Sequence, residues 1–178
     1  MNLIPIKENC EVNRVKDLDL NKFKPTRAGV IVYTVYKRKV YFIGGIDTKS
    51  GEFTDFGGGV SYKTDQNALT GGLRELSEES LGIFGTISLD EIQECVAVYD
   101  ENNLITFIPF NINIKSKYYE FMDRLKFCKH PEVRDLTILD KKQFISLING
   151  NNVGGTMMYT KVRDLLANGR KNNFMRYL

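Results

Sequence analysis

Hydrophobic positions recur along this chain in short runs, and the period of the pattern switches repeatedly between that of a strand and that of a helix. Residues 27–36 (RAGVIVYTVY) and 39–46 (KVYFIGGI) are rich in β-branched and aromatic side chains on either side of a charged turn, which predicts a β-hairpin. A short extended piece from Phe53 to Phe56 leads into Gly57-Gly58-Gly59. Beyond it Asp65 or Asn67 can N-cap a helix running to about Leu81, with Gly82 placed to end it. Residues 92–99 and 104–114 predict a second hairpin around Asp100-Glu101-Asn102-Asn103, its latter strand alternating Asn111 and Asn113 against Ile112 and Ile114. A helix at about 117–127, a short strand at 135–139, a helix at about 140–148 and a loop over 149–155 follow. From Met158 onward the pattern is one or two basic helices, ended or kinked near Gly169. Hairpins interleaved with helices predict an α/β fold with a mixed β-sheet packed between helices.

Composition narrows the picture. A chain of 178 residues fits one domain and can bury a sizeable core without a metal or disulfide staple, so any metal serves chemistry. With 42% hydrophobic and 26% charged residues it belongs with neither disordered nor collagen-like chains. The longest apolar candidate, Ala28 to Tyr36, is interrupted by Thr34 and is too short to cross a bilayer. Residues 1–17 hold a short apolar stretch and then charges, unlike a signal peptide, so a cytoplasmic location is expected. Cys10, Cys95 and Cys128 are widely spaced and read as reduced thiols. A single histidine, His130, excludes multi-histidine metal sites and leaves the chemistry to carboxylates. The net charge of +3 arises from clusters, among them Lys37-Arg38-Lys39, Lys161 with Arg163, and Arg170-Lys171 with Arg176. Each alone is a solvated face; together they permit a polyanionic partner.

The informative stretch is residues 57–84, GGGVSYKTDQNALTGGLRELSEESLGIF. Glu75, Glu78 and Glu79 fall at i, i+3 and i+4, so a helix projects all three carboxylates from one face, where they repel each other. A divalent cation is the simplest compensator, since Mg²⁺ takes hard oxygen ligands and needs few carboxylates when phosphates complete its shell. Such spacing alone more often marks a solvated acidic face; the glycine run in front of it changes the weighting. The whole stretch resembles the signature of the Nudix hydrolases, G-x5-E-x7-R-E-U-x-E-E-x-G-U with U aliphatic. Gly58-Gly59 looks like its opening, Arg74-Glu75-Leu76-Ser77-Glu78-Glu79 reproduces its centre, and Gly82-Ile83 looks like its end. There are departures. The first glutamate position falls on Asp65 counting forward and on Gln66 counting back, so one residue is inserted. Ser80-Leu81 stands where one residue is usual, and Gly71-Gly72 stands where small alanines are usual, for which close packing on the sheet is the expected reason.

The resemblance implies a single Nudix domain over 1–178, an α/β/α sandwich with its core at about 27–149 and a basic helical extension at about 158–178. It implies metal-dependent hydrolysis of a nucleoside diphosphate linked to another group, with Mg²⁺ or Mn²⁺ held by Glu75, Glu78, Glu79 and the backbone carbonyl of Gly58. Arg74 would orient a glutamate through a charge-assisted hydrogen bond. Family members often take a general base or further ligand from a downstream loop, and His130-Pro131-Glu132-Val133-Arg134 resembles that loop. Glu132 is the candidate, Glu101 the reserve, and His130 a neighbour rather than a catalyst.

Substrate choice lies outside the signature. PTRAGVIVYT followed by TDFGGG resembles Nudix proteins of large DNA viruses, some of which remove the 5′ cap of mRNA. Lys161, Arg163, Arg170 and Lys171 are then candidates for holding the RNA backbone. Tyr33, Tyr36, Phe42, Tyr99, Phe107 and Phe110 are candidates for stacking on the cap, although most suit a core or sheet face better. Alternatives are hydrolysis of diphosphoinositol polyphosphates, or of small nucleotides such as dinucleoside polyphosphates and damaged nucleoside triphosphates. A Nudix-fold RNA-binding module without catalysis is the non-enzymatic alternative; such modules typically lose signature glutamates, and this chain keeps them. Oligomeric state is not set by any of these features.

Overall fold

The computed structural model describes residues 10–178; the apolar stretch over residues 1–9, weighed above as a leader, lies outside them. One eight-stranded sheet runs through the molecule in the order β1 (Glu11–Arg14), β6 (Val96–Tyr99), β7 (Asn103–Pro109), β2 (Arg27–Tyr36), β3 (Lys39–Asp47) and β4 (Phe53–Thr54). β5 (Phe56–Gly59) adds to β2, and β8 (Val133–Asp140) adds to β3. The β2–β7 pair is parallel and the other pairs are antiparallel, so the sheet is mixed as expected. β3 and β5 divide one edge of β2 between them: Val32 to Tyr36 pair with β3, and Arg27 to Val30 pair with β5.

Alternation along the strands sorts side chains into two cores, one per face. Ala28, Val30 and Val32 join Leu69 and Leu76 of α1 (Ala68–Glu79) and Phe121 of α2 (Ile114–Leu125). Ile31, Phe42 and Phe107 join Phe144 of α3 (Lys141–Ile148) and Val162, Leu165 and Leu166 of α4 (Thr160–Lys171). The result is an α/β/α sandwich. Among the described residues no helix is long and apolar enough to cross a membrane.

Several boundaries differ from the sequence expectation, each for a local reason. The strand expected over 104–114 stops at Pro109, which has no N–H to donate to the ladder, and Asn113 accepts from the Ser116 N–H to cap α2 instead. The strand expected over 135–139 is eight residues long because β3 supplies a partner along Tyr41 to Asp47. α4 ends at Lys171, two residues past Gly169 and near the expected break; a Cβ on Gly169 would lie 2.7 Å from Val98 Cγ1, so the glycine also lets the helix close on β6. α4 also belongs to the second core, so the layered structure extends past residue 149, the edge of the core read from sequence. At the β2–β3 turn, Lys37 and Arg38 both take positive φ, the twist that suits a two-residue hairpin.

Candidate active site

α1 is aimed by its two ends. Asn67, one of the two expected caps, accepts from the Thr70 N–H while the Thr70 hydroxyl accepts from the Asn67 N–H, so both orphan donors are satisfied. The helix stops at Glu79, two residues early: the Gly82 N–H reaches the Ser77 carbonyl at 2.8 Å and Leu81 sits in the left-handed region at φ 56°. The other expected cap, Asp65, has a different task. Its carboxylate accepts from Arg74 Nε and Nη2, both at 3.0 Å, and from the Ser61 N–H at 2.9 Å. The Arg74 hydrogen bond is the chief reason that the Asp65 carboxyl lies below its usual range. Arg74 also donates to Glu75 at 2.9 Å, to Glu78 at 3.1 Å and to the Gly59 carbonyl at 3.1 Å, tying the glycine loop to the acidic helix face.

The three glutamates of that face part company. Glu78 is exposed and engaged by Arg74. Glu75 is 8% exposed, and its carboxylate lies so close to Gly58 that a Cβ there would sit 2.7 Å from Oε1. Glu79 accepts from the Gly57 N–H at 2.8 Å. Glu132, one residue before β8, completes the group: Glu75, Glu79 and Glu132 each bring an oxygen to within 4.8 Å of the others, and these are the only such acidic trio among the described residues. Glu101, the reserve, is exposed on the β6–β7 turn outside this trio.

Burial pushes the Glu79 carboxyl up to about 9, with the charges of Asp55, Glu75 and Glu132 acting the same way and the Gly57 N–H opposing. Burial likewise raises Glu75, although Arg74 pulls against it. Three crowded carboxylates with hard oxygen donors, two of them resisting ionisation, suit a divalent cation such as Mg²⁺ or Mn²⁺. A Cβ on Gly58 would meet both carboxylate oxygens of Glu75, so a glycine is what lets the loop approach that acid so closely.

Sequence reasoning missed what lies beneath. Asp55 is fully buried between β4 and β5, and Arg27 pairs with it through both terminal nitrogens. Thr54 donates to the same carboxylate at 3.0 Å, Arg27 also reaches Asn103, and the Tyr159 ring lies 5.7 Å under the guanidinium. A Cβ on Gly29 would collide with the Asp55 carboxylate, so β2 needs a glycine there. The signal available in the sequence was an acid inside an extended run, Phe53-Thr54-Asp55-Phe56, directly before the glycines.

The basic and aromatic candidates are scattered. Lys161, Arg163, Arg170 and Lys171 all lie on α4, across the sheet from α1. At about 100° per residue Arg163 and Arg170 share a side, Lys161 faces the opposite way and Lys171 is a quarter turn off, so the four form no single stripe. Arg163 is within 3.3 Å of Asp164 and Arg170 donates to Asn149, while Lys161 lines a hollow with Thr26, Arg27 and Asn103. Of the aromatic residues, Phe42 and Phe107 are core. Phe110 packs on Phe84, and Tyr99 stacks near Phe23 while donating to Glu11. Tyr36 is exposed at the far end of β2, seven residues or about 23 Å from Gly29.

No protein-family model matches the chain, and no curated protein matches it. Among solved structures it is similar to the Nudix domain of Shewanella oneidensis NrtR, complexed with ADP ribose. That alignment has a TM-score of 0.50 and 10% identity over 88% of this chain and 94% of the other. An Ap4A hydrolase of C. elegans, in a binary complex, aligns with a TM-score of 0.47 and 12% identity over 82% of this chain and 95% of the other. The first likeness shows that the fold is that of a Nudix domain.

Proposed function

We propose that this Nudix-fold chain is a divalent-cation-dependent hydrolase of phosphoanhydride bonds, acting on a nucleoside diphosphate joined to another group. The observation that carries this reading is the convergence of Glu75 and Glu79 from α1 with Glu132 from a distant loop, all within 4.8 Å. Glu75 and Glu79, with the Gly58 carbonyl and with Glu78 at the rim, would hold Mg²⁺ or Mn²⁺ beside Glu132. When bound, such ions neutralise charge on the phosphate oxygens and activate the attacking water. The protein's own residues supply the rest. Arg74 and the Gly57 N–H fix the orientation of Glu75 and Glu79 before substrate arrives. Glu132 is exposed at the mouth, where its carboxylate takes the proton of the water as the new P–O bond forms and the bridging P–O bond breaks.

Capped RNA is the substrate we assign, on the strength of the basic clusters, with Lys161, Arg163, Arg170 and Lys171 contributing backbone contacts. A second reading, a compact polyphosphate such as a small nucleotide or an inositol pyrophosphate, is favoured by the scatter of those four residues over α4. Product identity separates them: with Mg²⁺ or Mn²⁺, release of a nucleoside diphosphate cap from long RNA supports decapping. Turnover of small nucleotides or inositol pyrophosphates alone supports the second reading. No metal-dependent turnover of capped RNA, nucleotides or inositol pyrophosphates overturns the hydrolase assignment in favour of a binding module.

A further inference from the structure

Two members of the acidic trio, Glu79 and Glu132, form one wall of a larger depression. A hollow of about 160 Å³ is lined by Glu78, Glu79, Leu81, Cys128, His130 and Glu132. A second, of about 630 Å³, lies against Asp47, Thr48, Lys49, Lys129, His130 and Glu132. The two share the His130–Glu132 segment, so a molecule seated on the trio can run past Glu132 into the larger cleft.

The walls of that cleft are tied together. The Thr48 hydroxyl donates to the Pro131 carbonyl at 2.7 Å and the Thr48 N–H donates to the Glu132 carbonyl at 2.9 Å, which clamps the β3–β4 turn to the loop carrying Glu132. Asp47 is turned into its own loop, accepting from the N–H groups of Lys49 and Ser50 at 2.9 and 2.6 Å. Against the opposing effect of burial, these bonds together with the Lys49 charge hold the Asp47 carboxyl below its usual range.

The cations near the trio divide by occupation. Arg74 is taken by Asp65, Glu75 and Glu78, and Arg27 by Asp55. Lys49 and Lys129 are exposed and line the cleft; the Lys49 charge acts on Asp47 behind it, but among the described residues neither side chain is held by a hydrogen bond or a close ion pair. A phosphoanhydride brings more anionic oxygens than two or three carboxylate-bound ions can cover, and those beyond the ions need cationic partners.

We propose that Lys49 and Lys129 form an anion-binding subsite for the part of the substrate that extends beyond the scissile bond, so that the site takes substrates with three or more phosphates in line. The assignment rests on the hydrolase reading for its direction of approach, and it adds to that reading a cationic subsite on the β3–β4 turn and the Glu132 loop.

The test compares dinucleoside substrates carrying two and four phosphates on the full chain with Mg²⁺. For Lys49→Ala/Lys129→Ala the KM of the four-phosphate substrate should rise tenfold or more with kcat within twofold, the two-phosphate substrate should change less than twofold, and Lys49→Arg/Lys129→Arg should restore the KM. Turnover with an unchanged KM for the four-phosphate substrate would overturn the subsite and leave the hydrolase standing. Calorimetric binding of inorganic imidotriphosphate, whose P–N–P links resist hydrolysis, reads the subsite without turnover. A tenfold loss of its affinity in the double alanine variant supports the subsite even where wild-type protein cleaves nothing, and equal affinity in both proteins refutes it.

Discussion

Two groups of charge meet on either side of Gly57, and they are built on opposite plans. Arg27 and Asp55 form a closed unit: the carboxylate is fully buried, both its oxygens meet the guanidinium, and Thr54, Asn103 and Tyr159 surround the pair. Glu79, one layer nearer the surface, receives a single backbone N–H and faces Glu75, Glu132 and Asp55. The first group satisfies itself and holds β2 against β5. The second is satisfied only by a cation or a proton, which is the difference expected between a structural ion pair and the hydrolytic site proposed above.

The largest effect should come from breaking the closed unit on one side. Arg27→Met strands a buried carboxylate and should cost about 3–5 kcal/mol by denaturant unfolding, whereas Arg27→Met/Asp55→Leu should recover much of that loss. Equal stability of the single variant and wild type would show that the pair is not what joins β2 to β5.

Next comes Glu79→Gln. It removes a charged ligand while relieving crowding, so turnover should fall at least about a hundredfold while the metal-free melting temperature stays level or rises. A variant that unfolds would place Glu79 with Asp55 as a structural acid. Glu132→Gln should lower kcat with little change in substrate affinity; a loss on Glu101→Gln instead would move the proton acceptor to the other turn.

A further effect is a pH dependence of stability. Because Glu79 is raised from 4.5 to about 9 in the folded protein, the folded state binds the extra proton across that interval. Metal-free protein should therefore lose stability as pH rises from about 5 toward 9. Saturating Mg²⁺ should offset the trend, stabilising the fold by about 2.7 kcal/mol at a hundred times its dissociation constant. Wild type and Glu79→Gln with identical stability profiles over this range would contradict the crowding.

The acidic helix was legible in the sequence because glycine run, cap and i, i+3, i+4 spacing all speak to one local element. Which glutamates converge was not legible. Glu78 and Glu79 are neighbours in sequence, yet the 100° between them on the helix sends one to Arg74 and solvent and the other beneath Gly57. Glu132 was found through its loop; Asp55 was overlooked because its partner Arg27 is 28 residues away and the strand pattern around it had no visible interruption. At 110–113, alternation predicted strand, but Pro109 and the capping side chain of Asn113 outweighed it. α4 was read for its charges, whereas Val162, Leu165 and Leu166 at helical spacing were the positions that placed it on the sheet.

Burial and its acidic neighbours hold a proton on the Glu79 carboxyl, which a divalent ion in the proposed site has to displace. Calorimetric titration of Mg²⁺ into the protein near pH 7, in buffers of different ionisation enthalpy, tests this directly, because filling a site whose ligand holds a proton must release it. Wild-type protein should bind Mg²⁺ with net proton release, and Glu79→Gln should bind more weakly and release none. Absence of Mg²⁺ binding at millimolar concentration, or equal affinity and proton release in both proteins, would contradict the account.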